Sequence, residues 1–190
     1  MLGVVRDLRS PRSLADPADA ADYKEHLLAE FVLARLARPE PALARQMGRR
    51  YCPRMNDQPI LTRGEFAKLT PLSLPQVVPP PQRRWSDTEW AVIRRGHRSR
   101  DMDDKWHAFV EADRLFLHRS WTGNGIFEAQ FARHGDGWSI TELLVCGDRS
   151  HYRRTSDAHD TLLVEALVDY VLLGNHDTDA LTRLRSMPET

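Results

Sequence analysis

Between residues 105 and 146 the chain carries four stretches rich in aromatic and β-branched residues, 105–112, 115–121, 125–134 and 137–146, separated only by short turns. Parallel strands need a crossover of a dozen or more residues, and no such length is available here, so neighbouring stretches must pair antiparallel. Ala112-Asp113-Arg114, Trp121-Thr122-Gly123-Asn124-Gly125 and His134-Gly135-Asp136-Gly137 carry the small and polar residues that reverse a chain. The expectation is a four-stranded antiparallel meander.

Helices should cover that sheet. Ser86-Asp87-Thr88-Glu89 has capping-box spacing ahead of Trp90, Val92 and Ile93, which predicts a helix from Ser86 to Arg95, stopped at Gly96. Leu162, Leu163, Leu167, Val168 and residues 171–173 recur at helical spacing and end at Gly174-Asn175, predicting a second helix over 157–173. A last helical turn is expected over 181–184. Upstream, Asp16-Pro17-Ala18-Asp19 opens an amphipathic helix over 17–37, a short helix follows over 41–49, and Thr62-Arg63-Gly64-Glu65 opens another through Leu69. Pro71, Pro75, Pro79, Pro80 and Pro81 force residues 71–81 to be extended, and this segment reads as a linker. The predicted organisation is α+β: a helical N-terminal extension with a Pro-rich linker over 1–80, and an α+β domain over 85–185.

With 41% hydrophobic and 28% charged residues the chain has globular rather than disordered composition. No apolar run approaches the roughly 20 residues that span a bilayer, and the first residues turn polar at Arg6 and Asp7, so neither a membrane helix nor a secretory leader is expected. Cys52 and Cys146 form no CxxC. Two thiols are expected, with a disulfide as the alternative, and the cytoplasm is the expected compartment. Net charge is zero but split: residues 1–100 hold 18 Lys and Arg against 11 Asp and Glu, and residues 101–190 hold 9 against 16. Such halves attract each other, which fits internal packing, a homo-oligomer or a protein partner. Nucleic acid is a less favoured partner, because the basic residues are scattered and few aromatics lie among them.

Candidate chemistry gathers at the two ends of the first hairpin. A meander sets Lys105 and Trp106 near Ser120 and Trp121, with Arg98, Arg100 and residues 101–104 close to the Thr122 turn. Arg100, Lys105 and Arg119 suit phosphate or carboxylate, Ser120 and Thr122 add hydroxyls, and Trp106 and Trp121 offer ring faces. Alternation places Leu115, Leu117, Arg119 and Trp121 on one face and Phe116, His118 and Ser120 on the other. If the leucines face the core, Arg119 lies at its edge and His118 on the far side; if the faces are reversed, His118 lines the core. The structural alternative is a corner in which Arg119 pairs with Glu128 or Glu142, the two tryptophans are core, and Asp103 and Asp104 face solvent. Asp101, Asp103, Asp104 and His118 lack the spacing of an EF-hand, and no metal or other cofactor is expected. Ser120 and His118 stand about 7 Å apart along a strand with no third orienting group, so a nucleophile–base pair is a weak reading. No GxSxG, Walker, Rossmann, HExxH or zinc-finger pattern occurs.

Met102-Asp103-Asp104-Lys105-Trp106, the string from Leu115 to Gly123, Ile126, Glu128 and Leu172-Leu173-Gly174 resemble an uncharacterised bacterial family with an MDDKW…HRSWTG core. The resemblance covers residues 85–174. Similar segments accompany ADP-ribose-processing domains, which implies a nucleotide-like ligand held by Asp103, Asp104, Lys105, Trp106, His118, Arg119, Ser120, Trp121 and Thr122. The expected function is recognition, with or without processing, of an anionic nucleotide or ADP-ribose-like ligand. Any acid–base role would fall to Asp104 or His118. The alternative is a non-enzymatic interaction protein, such as an immunity factor, an antitoxin or a complex subunit, using its charge-split surface.

Overall fold

The computed structural model describes residues 59–101 and 103–187. The helices expected over 17–37 and 41–49, and Cys52, lie outside the described residues. The chain is α+β around one antiparallel sheet. Its strands are β1 (Pro75–Val78), β2 (Trp85–Ser86), β3 (Trp106–Glu111), β4 (Arg114–Arg119), β5 (Gly125–His134) and β6 (Gly137–Cys146). They lie in the order β1-β6-β5-β4-β3, with β2 also paired to β6.

The four-strand meander expected from the sequence is present as β3 to β6, but the sheet has six strands, not four. The difference lies in the proline-rich stretch. Its prolines do keep it extended, yet Gln76 and Val77 pair with Val145 and Leu144 of β6, and Trp85 pairs with Trp138. An edge of a sheet tolerates proline because one row of its N–H groups has no ladder partner to lose. The buried Val78 and Trp85 then anchor the segment to the core.

The β3–β4 hairpin closes through Ala112 and Asp113, with φ of 47° and 61°, the two successive left-handed residues of a type I′ turn. Between Leu117 and His118 the β4–β5 register shifts, since Leu117 pairs with Phe127 and His118 with Gly125. Ile126 is left between those pairs and is buried, as is Phe127. Such a bulge bends the strand and raises its twist, here where β4 and β5 leave the turn that carries the candidate site.

One face of the sheet carries Ala108, Leu115, Leu117, Phe127, Ala129, Phe131, Leu143 and Val145. These pack with residues of the helices α1 (Asp87–Ile93) and α2 (Asp157–Leu167) in a single apolar core. The α1 capping box forms as its sequence requires: Glu89 N–H donates to Ser86 Oγ at 3.2 Å, and Ser86 N–H donates to the Glu89 carboxylate at 2.7 Å. After α1, Gly96 turns the chain at φ 75° so that His97 exchanges two backbone hydrogen bonds of 2.8 Å with Ala108, covering the outer edge of β3. α2 is shorter than expected, because at Val168–Leu172 it widens into a π turn, with Leu173 N–H donating to the Val168 carbonyl. A final helix, α3 (Asp179–Arg185), is capped by Thr178. The helix expected over 62–69 is only one 3₁₀ turn, Arg63–Glu65. No helix among the described residues is long and apolar enough to cross a membrane.

Candidate functional site

The β3–β4 register brings the two ends of the hairpin together as the meander requires. Trp106 pairs with Arg119 and His107 with His118, and Ser120 N–H donates to the Lys105 carbonyl at 2.9 Å. Leu115 and Leu117 point into the core, which decides between the two orientations of β4. Arg119 therefore shares the core face with Trp106, and its guanidinium carbon lies 4.4 Å from the centre of the Trp106 ring. Trp106 is only 3% exposed and closes the end of the core beside Phe127. Trp121 is the opposite case. It is 57% exposed, and the buried Lys105 places its ammonium nitrogen 3.9 Å from the centre of the indole. Two cation–aromatic pairs thus stand side by side, one sealed and one open to solvent.

The residues around them are committed to holding the loops. Ser120 Oγ donates to the Asp104 carbonyl at 2.8 Å, and Thr122 Oγ accepts from Asn124 N–H at 3.3 Å. Arg100 is exposed, and its backbone N–H reaches the Asp104 carboxylate at 3.3 Å. Asp103 is exposed, while the Asp101 carboxylate accepts from the N–H groups of Asp103 and Asp104 at 2.9 and 3.0 Å. These are turn-stabilising bonds of the kind short acidic residues make.

Asp104 is half-buried, and His97 Nε2 stands 2.7 Å from its Oδ2. Burial alone would raise this carboxyl, but the hydrogen bond and charge of His97, with the backbone N–H groups of Arg100 and Trp106, hold it below its ordinary value. His118 lies on the opposite face of β4 and is 3% exposed. There it stacks on Phe109, with ring centroids 5.5 Å apart, and donates from Nδ1 to the Gly123 carbonyl at 3.0 Å. Burial pushes it below the usual histidine value. His107, on the same face, is also lowered by burial, and its Nδ1 accepts from Ser99 N–H at 3.1 Å. Phe66 covers this layer, 4.9 Å from the His107 ring and 5.7 Å from Phe109. Both candidate acid–base residues are therefore tied to structural partners, Asp104 to His97 and His118 to the Gly123 carbonyl.

Glu128 and Glu142, the cross-strand carboxylates considered for Arg119, are both engaged by Arg114, at 3.4 and 2.6 Å. Among the described residues no group of three or more His, Cys, Asp or Glu side chains is placed to hold a metal ion. Cys146 is a buried free thiol.

A second polar centre was not singled out by sequence reasoning. Asp169, 2% exposed, is the second residue of the π turn and accepts from Trp85 Nε1 at 3.0 Å and Arg83 Nε at 3.2 Å. Arg83 also meets Glu89 at 2.9 Å. The available signal was the i, i+4 spacing of Glu165 and Asp169 amid apolar neighbours, which puts two carboxylates on a face that would otherwise be buried. No protein-family model, curated protein or solved structure matches the chain.

Proposed function

We propose that the open end of the β3–β4 hairpin is a recognition surface for an anionic, ring-bearing small molecule of the nucleotide or ADP-ribose type. The observation that carries this reading is the Trp121 indole, more than half exposed and braced from one side by Lys105. An exposed indole offers a large flat apolar face that a ring can cover. A base stacks on its free side, a contact worth about 1–3 kcal/mol in single-stranded nucleic-acid sites. The neighbouring Lys105, Arg100 and Arg119 meet the phosphate charge, and the pre-set cation–aromatic pair limits the rotamer entropy lost on binding. Recognition is favoured over processing because Asp104 and His118 are held by His97 and Gly123 respectively.

The test is titration calorimetry with ADP-ribose, NAD and mononucleotides on the full chain. Binding that weakens about tenfold or more in Trp121→Ala, the loss of one stacking contact, supports the reading. No heat with any of these ligands at millimolar concentration removes it. The same exposed indole favours a second reading, a protein-docking surface, since tryptophan is enriched among interface anchors. A solution mass above the 21.9 kDa of one chain, returned to that value by Trp121→Ala, would select docking to a second copy instead.

A further inference from the structure

The sheet face opposite α1 and α2 gathers positive charge beside Trp121. Lys105 alternates with His107 along the chain and shares its face, away from the core. The segment before β1 crosses the same end. Phe66 covers the His107 ring, and the Arg98 guanidinium carbon lies 5.5 Å from the centre of the Phe66 ring while Arg98 Nη2 donates to the Glu65 carbonyl. Two residues beyond Phe66, Lys68 packs its carbonyl against Gly123, itself two residues beyond Trp121. Arg63 opens the 3₁₀ turn ahead of Phe66, near enough for its charge to act on His118, as that of Arg98 acts on His107. Arg98, Arg63, Lys68, Lys105 and the Trp121 indole thus lie along one surface. In the sequence these cations are scattered over residues 63–105, and only the fold sets them beside an exposed aromatic ring.

The charge is available to a ligand. Arg63, Lys68 and Arg98 are exposed, and no ion pair engages them among the described residues. Arg83, Arg114 and Arg154 differ, each meeting two carboxylates. The carboxylates nearest to the strip are turned to backbone donors: Glu65 accepts from Thr62 N–H at 2.6 Å, and Asp101 from Asp103 N–H at 2.9 Å. Asp103 is the other exposed carboxylate of that loop. A free nucleotide stacked on Trp121 brings its phosphate to Lys105 and leaves Arg63, Lys68 and Arg98 uncovered. A chain of phosphates covers them as well. Cations that track a backbone beside a ring on which a base stacks are how proteins hold single strands. A duplex stacks its bases on one another and presents no open ring face to Trp121, and an acidic peptide brings charge without a base.

We propose that this face binds single-stranded nucleic acid, with one base stacked on Trp121 and the adjoining phosphates held by Lys68, Arg63 and Arg98. The proposal rests on the nucleotide reading for the stacked base and extends it: the site that takes a free nucleotide takes a nucleotide within a strand more tightly, because the neighbouring phosphates find cations of their own. Lys105, buried against the indole, braces the stacking platform and meets the phosphate of the stacked nucleotide.

The experiment is fluorescence anisotropy of the full chain with labelled single-stranded RNA and DNA of about 10 nucleotides, within the range of known single-strand sites. AMP, ADP-ribose, poly-glutamate and a duplex of the same length serve as competitors. The expected result is strand binding about tenfold or more tighter than AMP, falling with salt on a log–log slope of about −2, as three neutralised phosphates require. Trp121→Ala should weaken it about tenfold, the loss of one stacked base. Arg63→Gln and Lys68→Gln should each flatten the slope by about 0.7, with melting temperatures equal to that of the natural protein as the check on folding. Arg185→Gln, at an exposed cation on α3, should leave binding unaltered. Tighter binding of the RNA or of the DNA would assign the source of the strand. Poly-glutamate or duplex competing as well as the single strand would overturn the proposal, as would a slope indifferent to Arg63→Gln and Lys68→Gln. AMP binding that depends on Trp121 but gains nothing from strand length would end this proposal and keep the nucleotide reading. Strand binding indifferent to Trp121→Ala, or no binding of strand or nucleotide at millimolar concentration, would end both.

Discussion

Gly123 and Lys68 meet backbone to backbone: a Cβ on Gly123 would lie 1.7 Å from the Lys68 carbonyl oxygen. Around this contact Thr70 N–H donates to the Gly123 carbonyl at 3.0 Å, and Gly125 N–H donates to the Thr70 carbonyl at 3.1 Å. The segment before β1 is thereby clamped onto the turn that presents Trp121. Gly123→Ala cannot be accommodated without moving that segment, since its φ of 76° is also left-handed. The expected cost is about 2–4 kcal/mol, read by urea denaturation, as overlap adds to backbone strain. Gly135→Ala is the control: φ is 64° but nothing lies within 4 Å of a Cβ there, so only the conformational cost of about 1–2 kcal/mol applies. Equal losses at both positions would show that the clamp does not form.

The two tryptophans of the candidate site should separate stability from binding. Trp106→Ala empties a buried site at the end of the core and should cost about 3–5 kcal/mol. Trp121→Ala loses an exposed cation–aromatic contact and should cost no more than about 1 kcal/mol. Paired denaturation curves check the order, and a large loss at Trp121 would mean that its exposed face is covered in solution.

The β3–β4 turn is strained by its own sequence. Ala112 and Asp113 occupy left-handed backbone that Asn and Gly adopt more readily. Replacing Ala112-Asp113 by Asn-Gly should raise stability by about 1 kcal/mol without altering ligand binding. An unchanged or lowered melting temperature would argue against a type I′ turn.

Acid should unfold the protein in two stages. Burial lowers His107 and His118 in the folded state. Below about pH 6.5 the unfolded chain therefore binds protons that the folded rings refuse, and stability falls as pH drops from about 7 toward 5. His118→Asn should flatten that slope. Asp104 is held low, so the stability it adds is present above the ordinary carboxylate value and is lost only below about pH 4. Glu165 has the opposite sign. Its raised carboxyl weakens the fold as pH rises through its folded value, so Glu165→Gln should be neutral to stabilising at pH 7. Denaturation midpoints across pH test all three.

The sequence by itself determined the four strands of the meander, the α1 capping box and the meeting of residues 103–106 with 118–122. Each of these follows from contacts close in sequence: period-two alternation, a Ser–Glu spacing of three, and turns too short for any other pairing. Alternation also reduced the choice for Arg119 and His118 to two faces. Only the tertiary structure chose between them, because which face is buried depends on where α1 and α2 pack. Tertiary packing also turned the proline segment into an edge strand, since the demand comes from the open edge of β6, some 70 residues away in sequence. It likewise exposed Trp121 while burying Trp106, and it left Glu165 facing a cleft beside a neutralised Asp169. Burial and charge pairing at those positions are set by groups distant along the chain, such as Arg83 and Trp85, and no local pattern carries that information.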